Sequence, residues 1–131
     1  MKRTMLSLLP ALFFMTLFLM AFNFRQEPPK KIKSYIQQHF PEQSVKKAKY
    51  KVYLDKGVKI EFDKNYHPIE IDGKAGLPES VIPKKIMHYA KQNYPGKRII
   101  EWEKKTHKQE VELENGIELE FDLEGNFLKV D

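Results

Sequence analysis

The sequence predicts an α+β fold: a tandem repeat of one helix plus an antiparallel β-meander, with the helices packed on one face of a curved antiparallel sheet. Three observations predict it. The hydrophobic pattern switches twice from helical spacing to strict alternation. A proline stands at each switch. Two long stretches of the chain also align with each other without a gap.

The first residues are different in kind. Lys2 and Arg3 precede a run without a charge from Thr4 to Phe24, the pattern of a signal peptide or signal anchor, assigned to residues 1–24. The run is long enough to span a bilayer, at about 20 residues, and no A-x-A cleavage signal follows it. Cleaved and tethered forms both stand, with the membrane touched only through an uncleaved leader. Either way the expected location is the periplasm. Residues 25–31, with the basic stretch PKKIK beginning at Pro29, read as a linker.

The chain has no cysteine, which excludes disulfides, thiol chemistry, thiolate metal sites and a lipid-modified cysteine anchor. Stability rests on a conventional core. Without Lys2 and Arg3, 21 basic residues face 18 acids, so the exported part lacks the basic footprint of a nucleic-acid binder. The charge is divided unevenly. Residues 25–76 hold 12 basic and 7 acidic side chains, whereas residues 77–131 hold 9 and 11.

Residues 32–76 form the first predicted repeat and 77–131 the second, together one compact domain over 28–131. Ile32, Tyr35, Ile36 and Phe40 recur at helical spacing, and Pro41 ends that helix. Alternation then predicts strands in which Val52, Leu54, Val58, Ile60, Phe62, Ile69 and Ile71 face inward. Ile86, Tyr89, Ala90 and Tyr94 repeat the helical pattern before Pro95, with Pro83 suited to the first helical turn. In the strands that follow, Val111, Leu113, Ile117, Leu119, Phe121, Leu128 and Val130 are expected inward. Asp55-Lys56-Gly57 and Glu114-Asn115-Gly116 mark tight turns.

GVKIEFDKNYHPIEID (Gly57 to Asp72) matches GIELEFDLEGNFLKVD (Gly116 to Asp131) at five identical positions and four aliphatic exchanges. Between proline and turn the second copy is five residues longer. That length predicts an additional hairpin turning near Thr106 to Lys108, and a shorter or merged strand in the first copy.

HFP (His39 to Pro41) and NYP (Asn93 to Pro95), each followed by G-[VI]-x-[IL]-E-F-D, give the chain a close resemblance to the PepSY-like family of beta-lactamase-inhibitor-like proteins. The resemblance covers residues 28–131. It implies an exported bacterial protein with two helix-plus-sheet units and a binding or inhibitory role in the envelope. It supplies no catalytic motif.

The residues point the same way. The four histidines make no H-x-x-x-H or H-E-x-x-H pattern, and no G-x-S-x-G occurs. No catalytic residue, metal ligand set or cofactor is therefore assigned, and the chain reads as a non-enzyme. Glu110, Glu112, Glu118 and Glu120 are expected outward on one sheet face, where surplus acids of the second copy collect. Asp122, Glu124 and Asn126 have the alternate spacing of a calcium loop, but the repeat partner of this turn replaces Glu124 by Asn65 and Asn126 by His67. The expected role of Asp63 and Asp122 is to brace turns through backbone N–H groups. Tyr53, Tyr66 and Phe127 fall at outward or turn positions, and Trp102 fits either a core site or an exposed anchor. Tyr53, Tyr66, Trp102, Phe127 and the four glutamates form the candidate surface for a partner protein of the envelope. A small ligand or cation is the other reading.

Overall fold

The computed structural model describes residues 28–47 and 50–131. The stretch expected as a leader, the start of the expected linker, and Ala48, expected to correspond to Trp102, lie outside the described residues. No helix among the described residues is long and apolar enough to cross a membrane.

Helix α1 (Lys30–His39) begins inside the stretch expected as linker, and α2 spans Lys84–Asn93. Both are amphipathic, burying Ile32 and Ile36 in one and Ile86 and Ala90 in the other. Their ends are built alike. Pro29 and Pro83 stand at the N-caps, so Pro83 lies one place before the first turn expected for it. At the other end Phe40 and Tyr94 leave helical geometry at φ −133 and −134, each donating its N–H to the carbonyl four residues back. The proline that follows each of them forces this exit, because its ring crowds a helical predecessor.

Among the described residues eight strands make one antiparallel sheet, each paired with its neighbour in sequence: β1 (Val45–Lys47), β2 (Lys51–Leu54), β3 (Lys59–Phe62), β4 (Pro68–Asp72), β5 (Ile99–Lys104), β6 (Gln109–Leu113), β7 (Glu118–Phe121) and β8 (Phe127–Val130). A short 3-10 turn (Glu79–Val81) leads from β4 into α2. The additional hairpin is β5–β6, closed where the Lys105 N–H meets the Lys108 carbonyl. Of the two alternatives for the first half, the shorter strand holds: β1 has three residues against six in β5, and it pairs with β2 rather than merging with it, with a register shift between Val45 and Lys47.

Alternation puts Val52, Leu54, Ile60, Phe62 and Ile71 on the same face as Trp102, Val111, Leu113, Leu119 and Phe121, and all are buried. Both helices cover this face, since Ile32, Ile36, Phe40, Ile86 and Ala90 belong to the same buried cluster. One tyrosine from each helix meets the phenylalanine of its own E-F-D segment edge to face, Tyr35 on Phe62 at 5.6 Å and Tyr89 on Phe121 at 5.5 Å. Edge-to-face pairs contribute about 0.5–1.5 kcal/mol beyond area burial. Leu128 and Val130 are the exceptions to the inward set, 53% and 49% exposed. Strand β8 is the last of the sheet, and among the described residues no strand lies beyond it to cover them.

Candidate functional site

The face of the sheet opposite the helices carries the charge. Cross-strand register lays its side chains in two rows. Tyr53, Lys59, Asp72, Glu101, Glu112 and Glu118 stand opposite one another in sequence from β2 to β7. Lys51, Glu61, Glu70, Glu103, Glu110, Glu120 and Lys129 form the second row, from β2 to β8. Neighbouring strands lie about 4.8 Å apart, and like charges directly opposite destabilise a sheet.

The second row is neutralised. Lys59 reaches Glu70 at 2.5 Å and Lys51 reaches Glu61 at 3.6 Å. From the β5–β6 turn, Lys105 bridges Glu110 at 2.6 Å and Glu103 at 3.8 Å, while Lys108 bridges Glu110 at 2.7 Å and Glu120 at 2.6 Å. Hydrogen bonds from these two lysines hold the Glu110 carboxyl below its ordinary range, and the Glu110 and Glu120 carboxylates push the Lys108 ammonium well above its own. Glu120 is buried beneath this cover. The residues that lengthen the second half thus supply its counter-charges.

The first row is not neutralised. Among the described residues, Asp72, Glu101, Glu112 and Glu118 make no ion pair, although they occupy four adjacent strands. Burial, and then the charges of Asp72 and Glu112, raise the Glu101 carboxyl above the ordinary glutamate value. A groove of about 300 Å³ runs beside the row, lined by Glu101, Glu103, Lys105, Glu110, Val111, Glu112 and Glu118. It presents concentrated negative potential to solvent. Among the described residues no group of three or more His, Asp or Glu side chains converges as a metal site.

Of the residues expected to meet a partner, Tyr53, Glu110, Glu112 and Glu118 lie on this face, and Tyr53 is 41% exposed at the end of the first row. Glu120 points there but is covered. Trp102 is buried, paired with Ile71 and Val111 on the helix side, and is not a surface anchor. Its indole N–H donates to Gln109 Oε1 at 3.1 Å, and Gln109 Nε2 donates to the carbonyls of Asp122 and Leu123. A satisfied N–H is what lets a tryptophan sit in a core.

Phe127 is not outward either. Opposite Phe121 in the register, it stacks on Tyr89 at 4.3 Å. Tyr66 occupies the β3–β4 turn at φ 64 and stacks on Tyr50.

The acidic spacing at Asp122 serves the turn. Asp122 Oδ1 accepts from the N–H groups of Glu124 and Asn126, and Asp63 Oδ1 accepts from those of Asn65 and His67. These bonds hold both aspartates below the ordinary carboxylate range: the Asn126 side-chain amide leads at Asp122, the His67 N–H at Asp63. The acids are not confined to the second half, as expected from the aligned copies. Asp72 and Glu70 join through the β4–β5 pairing, and Glu101 and Glu103 were legible only as alternating positions in IIEWEKK.

A family model described as "Putative beta-lactamase-inhibitor-like, PepSY-like" matches residues 48–129. The chain belongs to the PepSY-like family. Solved structures of similar proteins share its α+β fold. A protein of Bacteroides vulgatus described as a "putative periplasmic protein of unknown function" shares 32% identity at a TM-score of 0.74, over 82% of this chain and 95% of its own. One from Bacteroides thetaiotaomicron, described as a "putative calcium-regulated periplasmic protein", shares 31% at 0.72, over 80% and 91%. No curated protein matches the sequence.

Proposed function

We propose that this PepSY-like chain is an exported, non-catalytic binding module whose outer sheet face docks a cationic surface of a partner protein in the periplasm. The observation that carries this is the unneutralised row Asp72, Glu101, Glu112 and Glu118. Such a row costs stability through like-charge opposition. An incoming cationic surface relieves that cost, and a concentrated field accelerates its encounter. The periplasmic descriptions of the similar structures support the location, and the charge-free run from Thr4 to Phe24 supports export. Tethering through that run is a further part of the proposal. So is the origin of residues 28–131 as two copies of one unit, supported by the matching helix ends and edge-to-face pairs.

The test is a photo-crosslinking amino acid placed at Glu112 on the face and, as control, at the exposed Gln38 on α1. A specific adduct is expected from position 112 in the native envelope, weakened by salt and by Asp72→Asn with Glu101→Gln. Identical adducts from both positions, or none from position 112 at low salt, would sink the proposal.

A second reading places a divalent cation on the same row. The description of the B. thetaiotaomicron protein as calcium-regulated favours it, as does the lack, among the described residues, of any ion pair to these four acids. The carboxylates lie across separate strands, so binding requires their side chains to converge. Calcium then raises the Tm of the parent and leaves Glu101→Gln/Glu112→Gln unmoved. Equal Tm with and without millimolar calcium would remove this reading.

A further inference from the structure

Among the described residues, β8 is an edge strand of the sheet. Four of the large hydrophobic residues exposed among the described residues, Leu123, Phe127, Leu128 and Val130, belong to the last hairpin. The Asp131 N–H donates to the Glu118 carbonyl on β7 at 2.9 Å. Antiparallel bonding alternates along a strand, so the N–H and C=O of Val130 point away from β7. Lys129 and Asp131 flank Val130 on the charged face, their side chains 2.8 Å apart. An edge with open hydrogen-bonding groups and apolar side chains is a template for another strand.

We propose that β8 pairs antiparallel with β8 of a second copy of this chain, in a register centred on Val130, joining two sheets across a two-fold axis. Charge selects both occupant and register. Centred on Val130, the pairing sets Lys129 opposite the partner's Asp131 and Asp131 opposite the partner's Lys129. It also brings the two valines together on the apolar side. Shifted to centre on Lys129, it opposes lysine to lysine, which destabilises a cross-strand pair. The contact is isologous and closes as a dimer. It leaves the acidic row uncovered and is independent of the reading given to that face.

The cysteine-free sequence makes the register testable in the full chain. Cα atoms of a hydrogen-bonded cross-strand pair lie about 5.5 Å apart, within disulfide reach. Val130→Cys, half exposed and outside the core, is therefore expected to give a disulfide dimer as its main species after oxidation in the envelope. Leu128→Cys is offset by about 13 Å along the strands and is expected to give at least tenfold less. Adding Lys129→Glu to Val130→Cys lowers the dimer at least fivefold, and adding Asp131→Lys as well restores it. The proposal is overturned if Val130→Cys stays monomeric or joins a different protein. It is equally overturned if Leu128→Cys cross-links as fully, or if the charge-swapped chain stays at the level of Lys129→Glu.

Discussion

Ile71 in β4 and Val130 in β8 hold matching positions in two hairpins that open alike, with Asp63 and Asp122 each gathering backbone N–H groups two and four residues on. Ile71 is fully buried and Val130 is 49% exposed. The difference lies in the neighbour, not in the residue. Strand β4 has β5 on its far side, where Trp102 pairs with Ile71, and among the described residues β8 has no such strand. One pattern of residues is thus core in one setting and a sticky edge in the other. The turns diverge too: Tyr66 holds at φ 64 the position that Gly125 holds at φ 89.

The sharpest way to break this comparison is to truncate both positions. Ile71→Ala is expected to cost about 2–5 kcal/mol, as for other buried aliphatics. Val130→Ala, measured at high dilution, is expected to stay within about 0.5 kcal/mol. Denaturant unfolding checks both, and similar losses at the two sites would deny that β5 makes the difference. Next in size is Trp102→Phe, which leaves Gln109 Oε1 without its indole donor inside the core. A loss of about 1–3 kcal/mol is expected, and a further Gln109→Leu does not restore it, because it also removes the donor to the carbonyls of Asp122 and Leu123.

The turn pair gives a smaller, directional effect. Gly125→Ala places a Cβ 3.0 Å from the Lys85 Cβ in a left-handed conformation and is expected to cost about 1–2 kcal/mol. Tyr66→Gly loses the Tyr50 stack but relieves its own strained backbone, so its change stays within about 0.5 kcal/mol, the two terms being of similar size. Calorimetry of the two variants tests that asymmetry.

Smallest is Glu101→Gln, expected to stabilise by about 0.2–1 kcal/mol at neutral pH by removing one of the opposed charges. The sign follows from its raised carboxyl. The native state holds that proton more tightly than the unfolded chain, so ionised Glu101 costs stability above its native pKa. The cost is relieved as pH falls through that value toward the unfolded one. The advantage of the glutamine variant should therefore vanish near pH 4, about the ordinary glutamate value. A constant advantage down to pH 3 would assign it to something other than charge.

Much of the fold was legible because its signals are local. Pro41 and Pro95 stop helices within one residue, and alternation fixes inward positions wherever both sides of a strand are paired. What failed depends on which strands become neighbours. Leu128 and Val130 read as inward because alternation does not reveal whether the next strand exists. Trp102 and Phe127 were open or misplaced for a related reason: β5 carries no partner label, and the register shift between Glu120 and Phe121 turns Phe127 inward. Glu120 was placed on the correct face, yet its cover comes from Lys108, twelve residues away. The acidic row itself exists only once β4 and β5 meet, which no alignment of one half with the other can show.

The plain succession of the sheet, β1 to β8 with every strand beside its predecessor, also bears on how the molecule is made. Apart from the β4–β5 connection, which carries α2, pairing adjacent segments closes short loops at a small entropic cost, and such topologies fold faster than those with distant pairings. A chain emerging from a pore N-terminus first can zip its sheet strand by strand as it appears.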